Sequence, residues 1–267
     1  MPMRALRKVT PWAAAELFAA GNIAFLAVDV WVAHAVNRFA LPQEWIPVVF
    51  SIAAPFVLAI AHLLARRAPR SARTLGLLVG WIALAIGIAG MLFHLESQFF
   101  EEQSIKSLVY TAPFVAPLAY AGLGLLLILN RMVPAATLDW ARWVILLALG
   151  GMFGNFVLSL ADHAQNGFFN RAEWISVAAG AFGSSFLLLT FVRPYDRVLR
   201  RATIAVLAGV TIVGVLGFAL HVYSNLARPA TNLWEGFLYG APVFAPLLYP
   251  NIAVLAAIGL WSARRQG

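Results

Sequence analysis

Hydrophobic runs of close to twenty residues, separated by short polar connections, recur along the whole chain. Eight can be bounded, at about 11–34, 46–64, 74–95, 107–130, 140–163, 174–192, 202–222 and 236–262. Each is near the ~20 residues that a helix needs to cross the hydrocarbon core of a bilayer. The pattern predicts an all-α, polytopic membrane protein with eight transmembrane helices. Thr10-Pro11 supplies the first start, with Thr as N-cap and Pro at the first helical position. Arg4, Arg7 and Lys8 ahead of this run give it the look of a signal peptide, but the apolar stretch is longer than a typical signal core. It is expected to stay.

The polar connections carry a repeated pattern. HAVNRFALPQEW, from His34 to Trp45, returns as HAQNGFFNRAEW, from His163 to Trp174. Both place Asn three residues after the His, Phe five after, Glu ten after and Trp eleven after. Two fainter copies, HLESQF from His94 and HVYSNL from His221, have Ser at the third place. His34 and His163 are 129 residues apart, and His94 and His221 are 127 apart. TAPFVAP (Thr111 to Pro117) likewise returns as GAPVFAP (Gly240 to Pro246), and such Pro pairs are expected to kink the fourth and eighth spans. The organisation read from this is a four-span half at 1–130, a linker at 131–139 and a second half at 140–267. Because each half has an even number of spans, the two would be parallel repeats. The His-bearing spans one, three, five and seven are expected to surround the central axis.

Composition agrees with the pattern. Hydrophobic residues make up 62% of the 267 residues and charged ones only 11%, against roughly 45–50% and about 25% in soluble domains. The net charge of +8 is a matter of placement. Lys and Arg gather at the N-terminus, at 66–73, at Arg131 and Arg142, at 193–201 and at Arg264 and Arg265, whereas the His-bearing connections hold few. The positive-inside rule then puts both termini in the cytoplasm and the histidines on the periplasmic side of a bacterial-type inner membrane. Arginines placed by topology argue against nucleic acid as a partner and leave the lipid bilayer as the expected one. With no cysteine, disulfides and iron–sulfur clusters are excluded.

Candidate chemistry follows from depth. His94, His163 and His221 lie 21, 21 and 20 residues beyond Arg73, Arg142 and Arg201, which is roughly 30 Å of helix, the thickness of the core. In the first span the residue at that depth is Asp29, while the motif selects His34. Four imidazoles at one depth, with Glu44, Glu102, Glu173 and Glu235 beginning the even spans, form a candidate site. Such donors suit iron, copper or zinc, and paired histidines suit b-type haem, with a redox or electron-transfer role and a small-molecule or redox partner. Asp162 is about 100° around its helix from His163 and cannot share an ion with it. The same histidines could instead cap helix C-termini, or line a proton or solute path in a transporter or channel; a structural subunit is a further reading. Among the ionisable residues inside the first span, Glu16 is read as shallow, and Asn22 shares a face with Asp29. Enzyme signatures such as a phosphate loop, a GxSxG elbow or a paired HExxH are missing from the sequence.

Overall fold

The computed structural model describes residues 9–265, which are all-helical with no strand among them. Arg4, Arg7 and Lys8 lie outside the described residues. In chain order the helices are α1 (Pro11–Ala35), α2 (Trp45–Leu64), α3 (Pro69–Glu96), α4 (Ile105–Tyr110) and α5 (Leu118–Met132). There follow α6 (Leu138–Gln165), α7 (Glu173–Val192), α8 (Arg197–Ala227), α9 (Leu233–Leu238) and α10 (Leu248–Arg264). Seven helical segments are long and apolar enough to cross a membrane, and α5, with 15 residues, is shorter. The starts are set locally. Thr10, Thr137 and Asp196 each accept hydrogen bonds from first-turn amides through their side chains.

The two Pro-rich segments break their helices instead of kinking them. α4 stops at Tyr110 and α5 begins only at Leu118; α9 stops at Leu238 and α10 begins at Leu248 after a 3₁₀ turn at Ala245–Leu247. Pro55 shows that a single proline does not force this, since α2 runs through it. Two prolines four residues apart remove two donors from adjacent turns and push the preceding residues out of the helical region, so the ladder cannot resume between them.

Burial is distributed as lipid would require. Leu17, Phe56, Leu63, Val198 and Leu220 are each more than 60% exposed, a surface that a water-soluble chain would not present. The interior is lined by small residues, among them Ala15, Ala19, Ala141, Ala148 and Ala256, all fully buried. Small residues let helix backbones approach in the absence of a hydrophobic drive between them. A Cβ added at Gly124 of α5 would stand 2.5 Å from the Gly80 carbonyl oxygen of α3, so that crossing tolerates only hydrogen there.

The packing makes two groups of four. α1, α2, α3 and α5 close one ring by successive contacts, and α6, α7, α8 and α10 close another. The rings meet mainly through α5 with α6 and α1 with α10. The expected arrangement of spans one, three, five and seven around one axis is therefore incorrect: α3 and α8 stand at the flanks, and α1, α5, α6 and α10 form the centre. The polar interior explains the choice. Glu16 receives a bidentate ion pair from Arg131, with Nη1–Oε1 at 2.7 Å and Nη2–Oε2 at 3.0 Å. Asn130 Nδ2 donates to Glu16 Oε1 at 3.0 Å, and Trp140 Nε1 of α6 donates to Asn130 Oδ1 at 2.9 Å. Trp12 Nε1 donates to the Asn130 carbonyl at 3.1 Å. One clasp thus ties α1, α5 and α6, and Asn251 of α10 donates to Asn22 of α1 further along.

Replacing Glu16 by Ala leaves the largely buried Arg131 guanidinium without its counter-charge. The expected loss is about 3–5 kcal/mol of stability, read as a lowered Tm in detergent. The double change Glu16→Met with Arg131→Met should cost less than the sum of the single changes, and strict additivity would show that the pair is not coupled.

Candidate functional site

The repeated motif folds into the same corner in both of its strong copies. Phe39 N–H donates to the His34 carbonyl at 3.2 Å and Arg38 N–H to that of Ala35 at 3.1 Å. Phe168 and Gly167 make the matching bonds to His163 and Ala164, both at 3.0 Å. This paired closure ends a helix with a left-handed turn, and φ is +58° at Arg38, +53° at Phe39, +68° at Gly167 and +50° at Phe168. The turn carries each Phe onto the Trp that opens the next helix, Phe39 on Trp45 and Phe168 on Trp174, with ring centroids 4.1 Å apart in both. The motif spacing is explained: His ends one helix, Phe turns the corner, and Glu and Trp begin the next.

The corner delivers Glu44 and Glu173 to the histidines. His163 Nδ1 lies 3.4 Å from Glu173 Oε2. In the first ring, Asn37 Nδ2 donates to Glu44 Oε1 at 3.2 Å, Oε2 is buried without a partner, and the Glu44 charge acts on His34. His94 faces His34 across the ring interior, centroids 6.3 Å apart and edge to face. His221 is the neighbour of His163 in the second ring. The four imidazoles therefore do not converge on one point, as the repeat had suggested, but form two pairs, each with one glutamate. Among the described residues, no three His, Asp or Glu side chains stand already grouped as a metal site.

His94 and His221 have a second task that sequence reasoning did not assign. His94 Nδ1 is 2.9 Å from the Pro113 carbonyl, and His221 Nδ1 is 2.8 Å from the Pro242 carbonyl. A carbonyl only accepts, so each Nδ1 carries the proton and each Nε2 keeps its lone pair. Both carbonyls belong to helix breaks: that of Pro113 also accepts from Ala116 N–H at 3.1 Å, and that of Pro242 has His221 as its partner. Around the first break Ser97 Oγ accepts from Ala112 N–H at 3.0 Å, and Thr111 Oγ1 donates to the His94 carbonyl at 2.6 Å. At the second break Asn225, 3% exposed, takes the place of Ser97 and adds a bond of its own. Its Nδ2 donates to the Ala241 carbonyl at 2.9 Å and its Oδ1 accepts from Ala241 N–H at 2.7 Å. A Cβ at Gly240 would overlap that amide, which is why glycine stands where the first copy has Thr111. The Pro pairs, each following its histidine by about twenty residues, were the available signal.

The other candidates fall elsewhere. Glu102 precedes α4 and lines an open hollow with Gln98, Lys106, Ser107 and Tyr110. Glu235 lies within α9, where Oε2 accepts from Thr231 N–H at 3.1 Å. Neither begins a long span, because both belong to the short helices before the breaks. Asp29 remains below the His34 corner, so the motif and not the depth identifies the partner of His94. Of the stripe on α6, Ser159 is 2.8 Å from Ser176 Oγ, and Asn155 is buried with Nδ2 lacking a partner. No known protein family, curated protein or solved structure matches the chain.

Substituting His94 or His221 by Ala removes one side-chain hydrogen bond to a break carbonyl and should destabilise the protein by about 0.5–1.5 kcal/mol, with Tm as the measure. Arg38→Gly should do the reverse and stabilise by about 0.5–1 kcal/mol, since glycine adopts positive φ without strain. A fall in Tm for Arg38→Gly would contradict the corner geometry.

Proposed function

We propose that the chain is an eight-crossing protein of a bacterial-type cytoplasmic membrane that binds a transition-metal ion in each of two His₂–carboxylate sites. One site uses His34, His94 and Glu44, the other His163, His221 and Glu173. Both lie on the periplasmic side, and the halves 1–130 and 140–267 descend from one duplicated four-crossing unit joined by 131–139. The reading rests on one observation. Three of the five buried side-chain polar atoms without a hydrogen-bond partner among the described residues, His34 Nδ1, Glu44 Oε2 and Glu173 Oε2, lie at these two sites; the others are Arg142 Nε and Asn155 Nδ2. Such atoms are costly unless something binds them, and all three are competent ligand atoms.

Two further features support it. Ligands bonded to a tetrahedral zinc at ~2.0–2.1 Å lie roughly 3.4 Å from each other, which is the separation of His163 Nδ1 and Glu173 Oε2. The Pro113 and Pro242 carbonyls hold the remaining histidines in the tautomer whose Nε2 can bind, the outer hydrogen bond that ligating histidines usually make. A bound ion would draw His94 or His221 onto the His–Glu pair facing it. Iron, copper and zinc all accept this donor set. A single ion suits the geometry better than b-type haem, because His34 and His94 pack edge to face with no planar slot between them. The broken helices favour a second reading, a transporter or channel, since discontinuous helices build many solute sites.

Elemental analysis of the purified protein after metal addition should find about two ions per chain. His34→Ala or His94→Ala should remove one and spare the other, His163→Ala or His221→Ala likewise, and a pair taken across the rings should remove both. Loss of all metal from any single change would restore a shared four-histidine site, and a protein that never binds metal would leave the transporter reading. For topology, reporter fusions at Arg70 and Gly167 should locate to opposite sides of the membrane; a shared side would refute the eight crossings.

A further inference from the structure

We infer that Asp162 and the first helix break form a binding site for one small monovalent cation of sodium size, separate from the histidines. A cavity of about 10 Å³ lies between the α4–α5 break and α6, enough for a single water-sized occupant. Its wall is mostly apolar, with Thr111, Asp162 and Gln165 as the polar side chains. Asp162 lines it from α6, and the Leu108, Val109 and Pro113 region lines it from the break. In an unbroken helix the Leu108 carbonyl would accept from Ala112 N–H, but that amide donates to Ser97 Oγ. The Val109 carbonyl would accept from residue 113, which is proline and has no N–H. It takes Gln165 Nε2 at 2.5 Å instead, and a carbonyl retains a second lone pair. The break thus leaves main-chain oxygens at the cavity opposite a carboxylate.

Asp162 itself has no hydrogen-bond donor or cation against its carboxylate among the described residues. Only its main-chain carbonyl is used, by Asn166 Nδ2 at 3.2 Å. A lone carboxylate between apolar walls such as Val157 and Leu158 is unfavourable without compensation. One negative charge calls for one positive charge, and carboxylate with carbonyl oxygens is the donor set of hard cations. Unwound carbonyls beside a carboxylate are how discontinuous helices hold sodium. The narrow cavity selects the small ion.

The other half of the molecule supplies a comparison within the same chain. The residues flanking His34 at the positions of Asp162 and Gln165 are Ala33 and Val36. The second break faces α1, where Phe25 packs against Phe244 at 5.0 Å, and the adjoining α9 carries Trp234 against Trp31 at 5.6 Å. Both polar side chains are present at one break and absent at the other, so neither is needed to build a break.

The experiment uses the full chain purified in detergent with EDTA, so that ions at the histidines do not contribute. Replacing choline chloride by NaCl at constant ionic strength should raise Tm by a few degrees in a saturable way. KCl should do so much less. Asp162→Asn should abolish the sodium-dependent shift, and Gln165→Val should weaken it. Direct binding of radioactive sodium to the unmodified protein should approach one ion per chain, displaced by unlabelled sodium and not by choline. This second measurement stands even if Asp162→Asn fails to fold. Absence of sodium binding, an equal response to all the salts, or a sodium shift surviving in Asp162→Asn would each overturn the inference.

Discussion

A peptide group inside a bilayer has no water to fall back on, and leaving one unsatisfied costs several kcal/mol. Two prolines in each of two helices create that situation at breaks that face the other ring, the first against α6 and the second towards α1, and the surrounding side chains are arranged to answer it. His94, Ser97 and Thr111 satisfy the first break, His221 and Asn225 the second. The same hydrogen bonds that satisfy the backbone orient two imidazoles with their lone pairs free. Capping and ligation, which look like rival explanations of a histidine, are therefore compatible in these two residues, one ring nitrogen serving each.

The difference between the two kinds of histidine was visible in the sequence but had no meaning there. Asn three residues on marks His34 and His163, where the chain turns a tight corner and brings back a glutamate. Ser at that place marks His94 and His221, after which the chain continues through a short helix before the break. Long apolar runs located six of the long helices to within a few residues, because length and composition suffice for that, but ran across the two breaks, so that α5 and α10 begin at Leu118 and Leu248 where spans were expected from 107 and 236. They could not say which helices touch. The partnership of Glu16 with Arg131 spans 115 residues, and no periodicity connects positions so distant. For the same reason spans three and seven were expected at the axis, since a polar residue on a helix shows that it faces protein without showing which protein.

The halves also depart from each other where their shared plan does not constrain them. Arg38 occupies a left-handed position that Gly167 fills without strain in the other copy. Asn225 accepts from the amide before its proline as Ser97 does, and donates to the Ala241 carbonyl besides. The corners and breaks are alike in the two rings while the side chains serving them differ, so more than one residue can satisfy the same backbone geometry.

The clasp at Glu16 bears on how the protein comes into being. α1 is made well before α5: Asn130 and Arg131 follow Glu16 by 114 and 115 residues, a delay of roughly 6–23 s at ordinary rates of synthesis. The guanidinium that finally pairs with the carboxylate is missing through that interval, and the clasp closes only when α5 is complete.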